Sequence, residues 1–152
     1  MQATTVIPAD LQAFIDDLHE RVKGHATRKE TDAFLELWSH GPDASIMAAV
    51  GGYRIGFDEV SRLLHWVSRT LPSFDTYEFE TLTAHADDEL ATSVELEHLT
   101  NEGEDQHTTL RTTHIYRRED GAWKLLHRHA EALTPVDESQ TSATLSGQES
   151  ST

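Results

Sequence analysis

A chain of 152 residues predicts one domain, long enough to bury roughly 70% of its unfolded surface without staples. It has no cysteine, which excludes disulfides, thiolate metal sites and a cysteine nucleophile. The formal net charge of -15 argues against nucleic acid and anionic membrane surfaces, because basic patches bind those. The amino terminus, MQATTVIPADLQ, has neither a basic region nor a long apolar run, and a cytoplasmic protein is expected.

Residues 8–24 predict a helix, with Leu11, Phe14, Ile15, Leu18 and Val22 at helical spacing and Gly24 as its stop. A capping-box pattern, Thr27 to Glu30, opens a second helix through Phe34, Leu37 and Trp38, broken at Gly41-Pro42. Residues 45–50 form a short strand, and Gly51-Gly52 turns it into Tyr53-Arg54-Ile55. A third helix follows, with Asp58 and Glu59 in its first turn and Phe57, Val60, Leu63, Leu64, Val67 and Leu71 on one face, closed by Pro72.

From there the pattern is strand only, over residues 73–86, 90–100, 107–118 and 122–133, and the short loops make an antiparallel meander. The predicted domain spans 9–133, between a flexible N-terminus (1–8) and a disordered tail (134–152) poor in apolar side chains. The fold class is α+β, three N-terminal helices covering one face of a strongly curved, mainly antiparallel sheet. Such a closed cone leaves a cavity, the default ligand site.

Alternation places Leu110, Thr112, His114 and Tyr116 on one face of the third long strand, and Trp123, Leu125, His127 and His129 on one face of the last. Three histidines are thus expected to share a surface and to supply proton transfer near neutral pH. The same cluster, with His98 as another ligand, would permit an open zinc or iron site, but His-x-His spacing is permissive, and neither metal nor cofactor is expected. Arg111, Arg117, Arg118, Lys124 and Arg128 fall mostly on the opposite face. Glu95 and Glu97 are expected to be solvated or paired with Arg111 or Arg117, with apolar Val94 and Leu96, and His98, facing inward. Were the sheet turned the other way, Glu97 would be a buried base with a raised pKa. Trp38 and Trp66 are wall candidates, and Tyr53 follows the Gly-Gly turn beside the expected cavity mouth. His40 and Asp43 are loop residues, and His19, His25 and His65 read as surface residues.

The element order, closing on HIYRREDGAWKLLHRH, resembles the SnoaL-like branch of the nuclear transport factor 2-like superfamily. Its aromatic strand, Arg-Arg-acid turn and His-x-His also resemble the association domain of calcium/calmodulin-dependent protein kinase II. The resemblance covers residues 11–133 and implies a cone, commonly homodimeric through the outer sheet face, with an internal pocket. It leaves the activity open, since these folds host isomerases, dehydratases, cyclases, binding modules and assembly hubs. The steroid isomerase branch needs a Tyr-containing oxyanion hole, whereas the first helix here offers Phe14 and Ile15.

The expected function is cofactor-independent acid/base chemistry on a small hydrophobic carbonyl or polyketide-like compound. His114 and His127 move protons, Tyr53 and Tyr116 donate hydrogen bonds, and Trp38, His129, His98 and Trp66 contact substrate. The rival is a non-enzymatic ligand-binding or oligomerisation module. A small hydrophobic ligand and a second copy of the chain are the expected partners.

Overall fold

The computed structural model describes residues 6–134. The expected disordered tail and most of the expected flexible N-terminus lie outside the described residues. Three helices and a six-stranded sheet make an α+β cone. In chain order they are α1 (Ala9–Arg28), α2 (Thr31–Leu35), β1 (Ser45–Met47), β2 (Tyr53–Ile55), α3 (Phe57–Thr70), β3 (Thr76–Ala86), β4 (Leu90–Asn101), β5 (Gln106–Glu119) and β6 (Ala122–Ala132).

The stripe Leu11, Ile15, Leu18 and Val22 buries α1 against the sheet. The helix runs a full turn beyond its expected stop at Gly24 and ends at Lys29, which adopts the left-handed conformation with φ 58. Gly24 serves close packing instead: a Cβ there would lie 2.7 Å from Glu30 Oε1, and the Glu30 N–H donates to its carbonyl at 3.1 Å. The expected capping box therefore does not form. Thr27 donates back to Lys23 O within α1, and α2 is a short helix from Thr31. Beyond α2 the chain runs beside β6, with Leu125 N–H donating to Leu37 O and Ser39 N–H to Leu125 O, both at 2.8 Å. Trp38 is thereby driven into the core, edge-on to Phe34.

The sheet order is β2-β1-β6-β5-β4-β3, antiparallel except where β1 runs parallel to β6. Asp120 (φ 50) and Gly121 (φ 81) make the tight β5–β6 turn, both central residues at positive φ. Two register shifts bend the long strands, one between Thr81 and Thr83 of β3, the other on β6 opposite Ile115 and Tyr116. At the second, Ile115 pairs with His127 and Tyr116 with Leu125, so Leu126 is the extra residue.

That one residue overturns the expected shared histidine surface. Before the bulge Trp123 and Leu125 face the interior; after it, the buried residues are Arg128 and Ala130. His127 and His129 are turned to the outer face, while His114 stays inside. Arg128, expected opposite the histidines, joins His114 instead.

The orientation of β4 is also the reverse of expectation. Ser93, Glu95 and Glu97 are fully buried, and Val94, Leu96 and His98 take the outer face. Apolar character misled here because the outer face carries Val94, Leu96 and Ile115 of its own, so alternation alone does not mark the inside.

Candidate functional site

The interior row of the sheet carries a continuous polar network. His19 enters from α1: Nδ1 lies 2.8 Å from Ile15 O and Nε2 2.7 Å from Glu95 Oε1. Both ring nitrogens face oxygens, and the ring stacks flat on Phe79 with centroids 3.5 Å apart. The surface position expected for His19 is corrected: it lies on the same stripe as Ile15 and is 2% exposed.

Glu95 accepts from Ser93 Oγ at 2.8 Å, and Ser93 Oγ lies 2.7 Å from Tyr116 OH. Tyr116 OH is 3.2 Å from His114 Nδ1, and His114 Nε2 is 2.9 Å from Arg128 Nη1. A guanidinium only donates, so His114 Nε2 accepts and Nδ1 carries the ring proton toward Tyr116 and Glu95. Arg128 then grips Glu97, Nη2 to Oε1 at 2.6 Å and Nη1 to Oε2 at 3.1 Å. Tyr77 OH donates to Glu97 Oε2 at 2.6 Å, and Thr112 Oγ1 to Oε1 at 3.2 Å.

Burial opposes ionisation of both carboxyls, but their partners outweigh it. The N–H edges of His114 and His19 hold Glu95 well below the usual carboxylate range. Arg128 does the same for Glu97, with help from His114 and Tyr77, to about 2. The raised pKa anticipated for a buried Glu97 is thus corrected, since a buried carboxylate with a bidentate arginine titrates low. The expected partners Arg111 and Arg117 are engaged elsewhere, with Glu131, and with Asp43 and Glu119. Burial pushes the Tyr77 and Tyr116 hydroxyls well up, reinforced by the adjacent carboxylates.

A cavity of about 290 Å³ opens beside this network. Val22, Phe34, Ile46, Leu64, Leu99 and Leu110 contribute to its apolar wall; His25, Tyr77, Glu97 and Arg128 are polar groups on it. His25 is therefore a cavity residue, not a surface one. Its Nδ1 lies 2.9 Å from Thr31 Oγ1, and its Nε2 has no hydrogen-bond partner among the described residues. Burial first, then the positive charges of Arg128 and His65, lowers its pKa from 6.5 to about 4.

The unfolded chain protonates His25 near pH 6.5, and the folded chain only near 4. The stabilisation from its neutral burial is full above the unfolded value and is lost as pH falls toward about 4. The expected result is a drop in urea midpoint between pH 7 and 5 that His25→Gln makes shallower; equal slopes in the two proteins would contradict it.

None of the eight residues expected at the site lines this cavity. His114 and Tyr116 stand behind it, joined to it through Arg128. Trp38 is core. Tyr53 is 63% exposed on β2, and Trp66 borders a shallow groove with Arg54, Glu59, Arg62 and Arg69. His98 sits on the outer face with Thr109 and Glu80, and His127 Nδ1 there lies 2.8 Å from Ser45 Oγ. Burial first, then His129, lowers the His127 pKa. Of the loop residues, His40 stacks on Phe57, and Asp43 holds Arg117 at 2.6 Å.

The sheet splits the histidine set considered for a metal, leaving His114 inside and His98, His127 and His129 outside. A different trio converges: ligating atoms of His19, Glu95 and His114 lie within 4.8 Å of one another. It fits protons better than a metal ion, because Arg128 donates into His114 Nε2 and leaves a proton on Nδ1, the nitrogen that would ligate.

Glu95, Glu97, Arg128, His19 and His25 are the interior groups that sequence reasoning missed. The available signal was His19 at four residues from Ile15, and His25 at three from Val22, both continuing the apolar stripe of α1.

The chain belongs to the SnoaL-like domain family, whose profile matches residues 12–134. Among curated proteins no match is found. Solved structures share the cone. A protein from Thiobacillus denitrificans described as a calcium/calmodulin-dependent protein kinase type II association domain superposes with TM-score 0.72 at 17% identity, covering 86% of this chain and 99% of that one. A nuclear transport factor 2-like protein of unknown function from Pseudomonas putida gives 0.69 at 19%, covering 86% and 89%. A ketosteroid isomerase-like protein from Erwinia carotovora atroseptica gives 0.67 at 16%, covering 84% and 96%. These bear out the expected superfamily and cone fold. No helix among the described residues is long and apolar enough to cross a membrane.

Proposed function

We propose that this protein takes a small hydrophobic molecule into the cone and performs acid/base chemistry next to its carbonyl group. The observation carrying this reading is the pairing, on one apolar wall, of a neutral imidazole with an open Nε2 and an arginine with spare N–H donors. His25 accepts a proton from the carbon next to the carbonyl, and the electron pair moves onto oxygen. Arg128 N–H groups stabilise the resulting enolate. With an unsaturated ketone, return of that proton from His25 to another carbon of the conjugated enolate completes an isomerisation; with a β-hydroxy ketone, its transfer to the departing hydroxyl, which leaves as water, completes a dehydration. A weak base is adequate when the oxyanion is stabilised in the same site. His114 and Tyr116 act as positioning residues behind Arg128.

The test does not require the product to be identified. A panel of hydrophobic ketones is incubated with the protein in D2O, and loss of the α-hydrogen signal is followed by NMR. Exchange faster than in buffer supports the reading. Ketones that bind without exchange would favour the second reading, a ligand-binding or assembly module, for which the neighbour described as an association domain is the supporting observation. In either case we place the contact between two copies on the outer face, where Val94, Leu96 and Ile115 are at least partly exposed.

A further inference from the structure

We infer that the polar end of the cavity excludes carboxylates and accepts an uncharged hydrogen-bond acceptor of the same shape. This rests on the proposed reading of the cavity as a small-molecule site, and it specifies the ligand chemistry that the site takes.

Donors, acceptors and charge at the cavity wall decide between the two. Glu97 is fully buried and receives four hydrogen bonds, two at each oxygen: Thr112 and Arg128 at Oε1, Tyr77 and Arg128 at Oε2. A carboxylate has about four lone-pair sites, so Glu97 has none left for a ligand. Arg128 carries five N–H groups. Two go to Glu97 and one to His114, leaving Nε–H and the second Nη2–H without a protein partner among the described residues. Arg128 forms part of the cavity wall, so those donors are the ones a ligand can use.

The guanidinium charge at this end is already matched. Arg128 is paired with Glu97 at 2.6 Å, and the second carboxylate, Glu95, lies buried on the same strand behind them. Tyr77 gives its proton to Glu97. His25, also on the cavity wall, is neutral at pH 7, with Thr31 at its Nδ1. Lys29 is exposed and remains hydrated. A carboxylate reaching Arg128 would lose its hydration and meet a guanidinium already neutralised, with the Glu97 charge directly behind it. An uncharged carbonyl gives up far less hydration and receives the same two N–H groups.

The experiment uses the wild-type protein and two near-isosteric probes, cyclohexyl methyl ketone and cyclohexanecarboxylate, with affinities measured by calorimetry or ligand-detected NMR. At pH 7 the ketone is expected to bind at least about tenfold more tightly than the carboxylate. Between pH 7 and 5 the uncharged fraction of an ordinary alkyl carboxylic acid rises by roughly 50- to 100-fold, and its apparent affinity should rise with it. The ketone affinity should stay within about twofold over the same range, because His25 remains mostly neutral there. A carboxylate that binds at pH 7 as well as the ketone, or whose affinity ignores pH, overturns this inference and leaves the cavity reading intact. Failure of both probes to bind at millimolar concentration overturns both. Preferential ketone binding without α-hydrogen exchange upholds the inference and removes the turnover.

Discussion

Replacing Glu97 with Ala should cost about 3–5 kcal/mol of folding stability, the range for removing one partner of a buried ion pair. Glu97 is the hub of the interior. It neutralises Arg128 and accepts from Tyr77 and Thr112, all of them buried. Without it the guanidinium is an uncompensated charge in apolar surroundings and two hydroxyls lose their acceptor. Changing both members at once, Glu97→Leu with Arg128→Met, removes the stranded charge and should recover most of the loss. Urea unfolding of the two variants measures this directly. A single variant within about 1 kcal/mol of wild type would mean that the pair is solvated. The pH dependence has a defined sign: because burial is outweighed by Arg128 and the folded pKa is about 2, this stabilisation is present above the ordinary carboxyl value and is lost as pH falls through about 2.

Substituting His25 with Gln should lower α-hydrogen exchange by about 10²- to 10⁴-fold, the usual contribution of a positioned general base. Gln keeps a polar group near Thr31 Oγ1, the partner of His25 Nδ1, and cannot accept a proton at neutral pH. Ketone affinity should therefore change little while turnover falls, which separates a lost base from a lost pocket. The wild-type rate should rise with pH through about 4 and then level off, since burial, Arg128 and His65 hold His25 neutral above that value. A midpoint unchanged in the variant, or turnover within a factor of three of wild type, would remove His25 from the chemistry.

Most elements of the fold were legible. The four long strands lie within a few residues of their expected bounds, because β-branched and aromatic runs punctuated by Asp-Asp-Glu and Asp-Gly turns leave little choice. The third helix matches for a related reason, a well-defined apolar face closed by Pro72. Gly24 misled because a glycine can mark a helix stop or a close approach, and only the position of Glu30 distinguishes them. The short second helix was overextended because Phe34, Leu37 and Trp38 have helical spacing although Trp38 leaves the helix to run beside Leu125.

The candidate site was far less legible than the fold. Alternation along one unbroken strand sets His114 and Tyr116 on a common face, where a period of two suffices, and tertiary packing makes that face the inner one. His127 and His129 were misplaced by the single extra residue Leu126, since a bulge inverts every later side chain and has no mark in this sequence. Glu95 and Glu97 face inward because β4 pairs with β5 in the register that sets Glu95 beside Thr112, and the register depends on how the loop closes. By itself the sequence determined local conformation, an acidic cysteine-free chain and the α+β class, all set by neighbours along the backbone. Which charges are buried, and with which partners, was decided only by tertiary structure. Glu97 and Arg128 lie 31 residues apart, His19 and Glu95 76, and ionised groups enter an interior only once the fold has brought their partners within hydrogen-bond reach.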